Sequence, residues 1–135
     1  MTRKFKTARV APALSGHYWK KASEFRNSMN RALAERQPNA AGLNAIHCAI
    51  SAADAVCVHL SGKRSSSKEH GDAVRLLAEL FPQGEGRRQA DRLGAVLAKK
   101  NEVEYEERLF SYEEAARLAM QAERLYEWVR DQMGL

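Results

Sequence analysis

The chain has 135 residues, enough for one domain that buries a hydrophobic core without disulfides or metals. With 44% apolar residues, 29% charged residues and two cysteines, the composition is that of a soluble globular protein and excludes a disulfide-rich scaffold. The net charge of +5 is uneven, because the first ten residues hold four cations and no acid. We predict a basic flexible arm over residues 1–14 and a single helical-bundle domain over residues 15–135.

Cysteine usage and hydropathy indicate a cytoplasmic protein. Cys48 and Cys57 lie on one predicted helix, about 13 Å apart along its axis, so they cannot pair. No Cys-x-x-Cys pair is present, and we expect neither a metal site nor a cofactor. The start of the chain has no long apolar segment, so no secretion signal is expected. The most apolar stretch, "LNAIHCAISAADAVCVHL", contains polar residues and predicts a buried helix rather than a membrane span.

The first two predicted helices form the centre of the fold. The first covers about residues 16–36, where apolar residues recur every three to four positions, and Pro38 ends it. The second covers about residues 39–60, with Asn39 as its cap and Gly62 at its end. This second helix is rich in alanine, which lets neighbouring helices approach closely, so we predict that it is central.

Three more helices follow. The third covers about residues 67–81, and Ser66 with Glu69 fits a capping box for it. The fourth covers about residues 87–100. Ser111 and Glu114 form a second capping box, for a last helix over about residues 112–133. Because no window alternates over the length of a strand, we predict an all-α fold, a four- to five-helix up-and-down bundle.

Two polar residues of the second helix share a face. His47 and Asp54 are two turns apart, and Asp54 lies at the edge of the apolar stripe. A carboxylate there must be exposed or have a partner. It is either a satisfied polar residue at a helix interface or a group that points into a cleft.

Arg64 and His70 are a weaker candidate pair. A metal-independent ribonuclease needs a base for the 2′-hydroxyl and a cation for the phosphorane, and histidine and arginine meet those needs. The pair spans a serine-rich loop and a helix start, however, and most such pairs are accidental.

A polar passage, "KKNEVEYEERLFSYEEA", separates the last two predicted helices. Lys100, Asn101 and Tyr105 lie where the fourth helix ends and the connection begins. An ordinary explanation covers all three: the lysine suits the helix dipole, the asparagine is a cap, and the tyrosine is a buried ring.

The same passage carries a resemblance to the HEPN superfamily of helical nucleotide-binding domains. The similar segments are "NAIHCAISAADAVCVHLSG", "SSSKEHGDAVRLL" and "LAKKNEVEYEERLFSYEEAARLAMQAERLYEWV". Active members carry an arginine, four to six residues and a histidine, with an acidic or polar residue from the second helix. The resemblance places Lys100 at the arginine position, Asn101 as the polar residue that often follows the arginine, Tyr105 at the histidine position and Asp54 as the second-helix residue.

Two departures from the active pattern imply a degenerate ribonuclease motif. Lysine lacks the bidentate fork of arginine, and a tyrosine with a pKa near 10 is a poor base at neutral pH. In active members two copies of the motif face each other across a dimer. The resemblance therefore implies a homodimer, and Ala49, Ala52 and Ala53 are small enough for close helix contact between copies.

Three functions follow from these residues. The first is a non-catalytic HEPN-like module that dimerises and binds either nucleic acid or a nucleotidyltransferase partner, as in a toxin–antitoxin pair. In that module Lys100, Asn101 and Arg64 are the candidate nucleic-acid contacts. The second is a metal-independent endoribonuclease, and the third is a structural helical interaction domain. The nearly neutral body of the chain argues against strong general RNA binding.

Overall fold

Five α-helices and a two-stranded ribbon make up the part of the chain that the structure, a computed structural model, describes. The description covers residues 6–66 and 70–135, without the side chains of His70, Glu104 and Tyr105. The helices are α1 (Ser15–Ala34), α2 (Pro38–Ser61), α3 (His70–Leu80), α4 (Gly84–Tyr105) and α5 (Tyr112–Gln132). Strands β1 (Thr7–Arg9) and β2 (Lys63–Ser65) flank the first helix pair, and a short 3₁₀ helix spans Pro12–Leu14. The predicted predominance of helices is confirmed.

Helix α2 is central, as predicted, and packs mainly against α1 and α5. Its Ala45, Ala49 and Ala52 are fully buried, and Ala53 is 2% exposed. These side chains therefore serve packing inside the chain and cannot form contacts between two copies, so this basis for the predicted dimer is wrong. Helix α2 is long and apolar enough to cross a membrane by length and hydropathy alone. However, 72% of its most apolar window is buried in the structure, as in the core helix of a folded domain.

Helices α1 and α5 are joined by polar and aromatic contacts. The rings of Trp19 and Tyr126 stack with centroids 4.2 Å apart, and the Tyr126 hydroxyl lies 2.8 Å from Ser23 Oγ. Beside them, Arg26 forms a bidentate ion pair with Glu123. These contacts determine which side of α1 faces α5. Tyr18 and Lys21 of α1 do not take part in them and contact each other instead.

The ribbon replaces part of the predicted flexible arm. Strands β1 and β2 are antiparallel, with Thr7 opposite Ser65 and Arg9 opposite Lys63. The Val10 amide donates to the Gly62 carbonyl at 2.9 Å, which ties the ribbon to the end of α2. The α1–α2 hairpin brings these two segments together, and neither segment is long enough to carry a period-two pattern. Gly62 has φ +67° and ends α2, as the sequence predicted.

Several helix boundaries differ from the prediction. Helix α4 extends to Tyr105, five residues further than expected. Pro38 begins α2 rather than only ending α1, because proline fits a first helical turn. The Ser111–Glu114 capping box is confirmed in full, whereas the Ser66–Glu69 box lies outside the described residues.

Both cysteines are buried free thiols on α2. Burial raises the pKa of the Cys48 thiol to about 12, and burial also raises that of Cys57 to about 12. The prediction that they do not pair with each other is confirmed.

Candidate functional site

One line of α2 reaches the surface. Between Leu43 and Asp54, partial or full exposure is confined to Leu43, Asn44, His47, Ile50 and Asp54. Leu43, His47, Ile50 and Asp54 follow one another at helical spacing and form what we call the α2 stripe. The predicted common face of His47 and Asp54 is thus the exposed face of a helix that is otherwise core.

Asp54 lies at the end of the α2 stripe, with two cations nearby. Burial raises the pKa of its carboxyl group to about 6, and Arg64 and Lys21 oppose that shift by favouring the charged form. The resemblance groups Asp54 with Lys100 of α4, and that grouping stays a prediction. The two cations that act on the Asp54 carboxyl group come from β2 and α1, because the ribbon places Arg64 beside the end of α2.

The same two cations approach one aromatic ring. Lys21 Nζ lies 5.7 Å from the centroid of the Tyr18 ring, and Arg64 Cζ lies 5.9 Å from it. Tyr18 is half-buried and Lys21 is exposed. Tyr18, Lys21, Asp54 and Arg64, from three different elements, form what we call the Tyr18 cluster. It combines a partly exposed ring, two cations and one carboxylate of raised pKa.

His47 lies in the middle of the α2 stripe. Its ring stacks on Phe25 of α1 with centroids 5.2 Å apart. Burial lowers the pKa of His47, and the charge of Lys100 lowers it further. The imidazole is therefore mostly neutral at pH 7, and a neutral imidazole accepts a proton.

The predicted motif at the end of α4 is helical. Lys100 is half-buried and Asn101 is exposed, both within α4, so neither begins a connection as expected. Tyr105 is the last residue of α4 and His70 the first of α3, and their side chains lie outside the described residues. The structure places Lys100 near His47, and Arg64 near Asp54. Whether Lys100, Asn101 and Tyr105 form one site, or Arg64 and His70 form another, stays a prediction.

The connection of residues 106–111 between α4 and α5 is held by ion pairs. Arg108 contacts Glu102, Glu106 and Glu114 at 2.8–3.0 Å, and Lys99 contacts Glu114 at 2.7 Å. Hydrogen bonds from Arg108 and Lys99 lower the pKa of Glu114 well below its usual range.

Phe110 anchors the same connection to α2. A Cβ atom at Gly42 would lie 2.8 Å from the Phe110 ring, so only glycine leaves room for it. The amide of Phe110 donates to Asn39 Oδ1 at 2.9 Å. Asn39, predicted as a helix cap, therefore holds the connection instead. The ion pairs of Arg108 and Lys99 with glutamates of "KKNEVEYEERLFSYEEA" hold the same connection in place.

Sequence reasoning missed Tyr18 and Lys21 as site residues. Tyr18 is one of the apolar residues whose spacing predicts the first helix, which agrees with its packing against the core but does not reveal the exposed part of the ring. The only signal was that Lys20, Lys21 and Tyr18 lie in one turn, and that is common in surface helices.

Comparison with known proteins does not assign the chain to a family. No family model, curated protein or solved structure matches the chain. Within residues 6–66 and 70–135, no group of three or more histidine, cysteine or acidic side chains is placed to hold a metal ion.

Proposed function

We propose that this protein is a non-catalytic HEPN-like helical module that binds nucleic acid on the Tyr18 cluster and the adjoining α2 stripe. The observation that carries the proposal is the partly exposed Tyr18 ring with Lys21 and Arg64 within 6 Å of its centroid. Aromatic rings stack on bases, and neighbouring cations hold the phosphates on either side. Arg64, a nucleic-acid contact in the sequence analysis, keeps that role here.

The non-catalytic part of the proposal rests on the residue types of the motif. Lys100 offers a point charge where active members use a planar fork, and Tyr105 stands where they use an imidazole. The resemblance also implies that the protein forms a homodimer and has a nucleotidyltransferase partner, and both stay predictions.

His47 favours a second candidate function, metal-independent cleavage of RNA. It is partly exposed, and its pKa is lowered, so it holds a free nitrogen at neutral pH. Lys100 lies close enough to act on it electrostatically. A base and a cation are the minimum that cleavage through a 2′-hydroxyl requires.

Fluorescence anisotropy with a 5′-fluorescein-labelled 12-nucleotide RNA tests the binding proposal. Lys21→Gln removes one cation of the Tyr18 cluster and weakens binding about fivefold, equivalent to about 1 kcal/mol for one ion pair. Lys20→Gln is the matched control, because Lys20 is the adjacent exposed lysine, and the cations over the Tyr18 ring in the described part of the chain are Lys21 and Arg64. Equal effects of the two substitutions would contradict the assignment of the site.

Incubation of the same RNA with the protein and a chelator separates the two candidate functions. Intact RNA after prolonged incubation agrees with the non-catalytic proposal. Cleavage that disappears in His47→Gln would establish the second function in its place.

A further inference from the structure

The β1–β2 ribbon and its flanks are unusually basic. Residues 6–14 and 62–66 contain Lys6, Arg9, Lys63 and Arg64 and no acid. Lys6, Arg9 and Lys63 are exposed, and no ion pair joins them to a carboxylate of the described residues. Arg9 faces Lys63 directly across the ribbon. Like charges at opposite positions destabilise an antiparallel pair, so this arrangement suits an anion that lies across both.

The end of α2 does not account for these cations. A helix C-terminus carries about half a negative charge, and one nearby lysine is enough to complement it. Arg9 and Lys63 bring two full positive charges to that end, and the charge of Arg64 is partly offset by Asp54. A net positive potential therefore remains over the ribbon.

A cleft of about 440 Å³ lies between the ribbon and the end of α2. It is lined by Arg9, Lys63, Ser61 and Gly62 together with residues 10–12. This volume falls in the range of small-ligand sites and can take a phosphate with its sugar. Arg64 follows Lys63 on β2, and because successive side chains of a strand project to opposite faces, it lies over the Tyr18 ring on the face of the ribbon opposite to Arg9 and Lys63. The cations of the cleft and the cation of the Tyr18 cluster therefore lie on the two faces of one two-stranded ribbon.

We propose that the ribbon and its cleft hold the phosphate backbone of a single-stranded nucleic acid, one base of which stacks on Tyr18. This inference rests on the proposed function and adds the path of the nucleic acid over the protein surface and the class of nucleic acid that binds. The strand runs from Arg9 and Lys63, across the cleft and round the edge of the narrow ribbon, to Arg64 and the Tyr18 ring. A single strand is required because the bases of a duplex are stacked and paired, and none is free to cover the ring.

The test compares two double variants of the full chain. Arg9→Gln/Lys63→Gln removes the cross-strand cations. Arg124→Gln/Arg130→Gln removes two exposed arginines of α5, a helix that does not contact either strand in the described part of the chain. Anisotropy is measured with a fluorescein-labelled 12-nucleotide uridine RNA and with a 12-base-pair duplex, from 50 to 300 mM salt.

The ribbon variant is expected to lose about tenfold in affinity for the single strand, and its salt slope falls by about 1.4, or about 0.7 for each lost phosphate contact. The α5 variant stays within about twofold of the unaltered chain, and the duplex binds more weakly than the single strand. Circular dichroism of both variants establishes that they remain folded.

Three results would overturn the inference, and they differ in what they leave standing. If the ribbon variant binds like the unaltered chain while Lys21→Gln binds weakly, the ribbon is not the path and the proposed function survives. If the duplex binds as tightly as the single strand, the ligand class is wrong. If the unaltered chain binds neither RNA, the proposed function fails together with the inference.

Discussion

The α4–α5 connection and the β1–β2 ribbon are both short, charged segments beside helix ends, but their charges have different partners. In the connection, Arg108 contacts three carboxylates, and Glu114 is shared with Lys99. In the ribbon, Arg9 and Lys63 face each other. Lys100 and Asn101, which suggested a site in the sequence, lie in α4 and not in the connection, whereas the ribbon, of which one strand was predicted as a flexible arm, carries exposed cations with no carboxylate partner among the described residues. Charge content alone does not distinguish the two segments, but the pairing of the charges does.

The largest expected effect would confirm that the connection is an anchor. Phe110→Ala removes a ring that is 9% exposed and packs against Gly42, so it lowers the free energy of unfolding by about 3 kcal/mol. Urea denaturation followed by circular dichroism measures the change. Leu109→Ala is the control, because Leu109 is 75% exposed and its loss costs less than about 0.5 kcal/mol. Similar values for the two variants would contradict the anchoring role.

A smaller loss of stability is expected at the start of α5. Ser111 accepts a hydrogen bond from the Glu114 amide, and Ser111→Ala lowers the free energy of unfolding by about 1 kcal/mol. Ser111→Thr keeps the acceptor and stays close to the unaltered chain in the same denaturation experiment. RNA affinity is unchanged in both variants, since the cap belongs to the anchor. A drop in affinity would place the connection in the binding site after all.

The pKa values of the carboxylates near the two regions are shifted in opposite directions, which predicts a pH effect on binding. Hydrogen bonds lower the pKa of Glu102 and Glu114, whereas burial raises that of Asp54 to about 6. At pH 7.5 the Asp54 charge offsets one of its two cations, and at pH 5.5 that offset is largely lost. Anisotropy should therefore show RNA binding about two- to fivefold tighter at pH 5.5.

Asp54→Asn isolates that effect. The variant should bind at pH 7.5 about as tightly as the unaltered chain does at pH 5.5, with a flatter pH profile. His47 also gains a proton as the pH falls, so His47→Gln is measured in parallel, and the Asp54 contribution persists in it. Folding adds a second check: the folded state holds the Asp54 proton more strongly, so this group's contribution to stability falls as pH rises from about 4 to 6. An unchanged profile in Asp54→Asn would exclude Asp54 as the titrating group.

The smallest expected effect concerns the stability of the ribbon itself. Arg9→Gln relieves a like-charge pair and leaves the free energy of unfolding unchanged or raises it by a few tenths of a kcal/mol. Arg108→Gln, the same substitution in the connection, removes contacts to three carboxylates and lowers stability. Parallel urea denaturations compare the two. A clear loss of stability in Arg9→Gln would mean that the ribbon charges have a structural role inside the chain.

Helices and caps could be predicted from the sequence because local patterns determine them. The spacing of apolar residues located all five helices, Gly62 ended α2, and the Ser111–Glu114 box began α5 as expected. The end of α4 was missed because Asn101 and its polar neighbours resemble a cap, while the ion pairs that Glu102 makes with Lys99 and Arg108 continue the helix.

The site depended on contacts that the sequence pattern does not contain. Three-residue strands show no periodicity, and their register follows from how the α1–α2 hairpin closes. Without the ribbon the position of Arg64 is undefined, so the approach of Arg64 and Lys21 to Asp54 could not be predicted. The alanines of α2 were correctly read as allowing close approach, but the approach is to α1 and α5 within the chain.

The ribbon also joins the two ends of the α1–α2 hairpin, so that the hairpin is held at both ends. At one end the chain turns tightly through residues 35–37, where the Gln37 amide donates to the Ala32 carbonyl at 2.9 Å. At the other end β1, just before α1, pairs with β2, just after α2. The paired ribbon thus restrains the chain just before the first turn of α1. A ligand that bridges the two strands would therefore slow amide hydrogen exchange along α1, including at amides that it never touches.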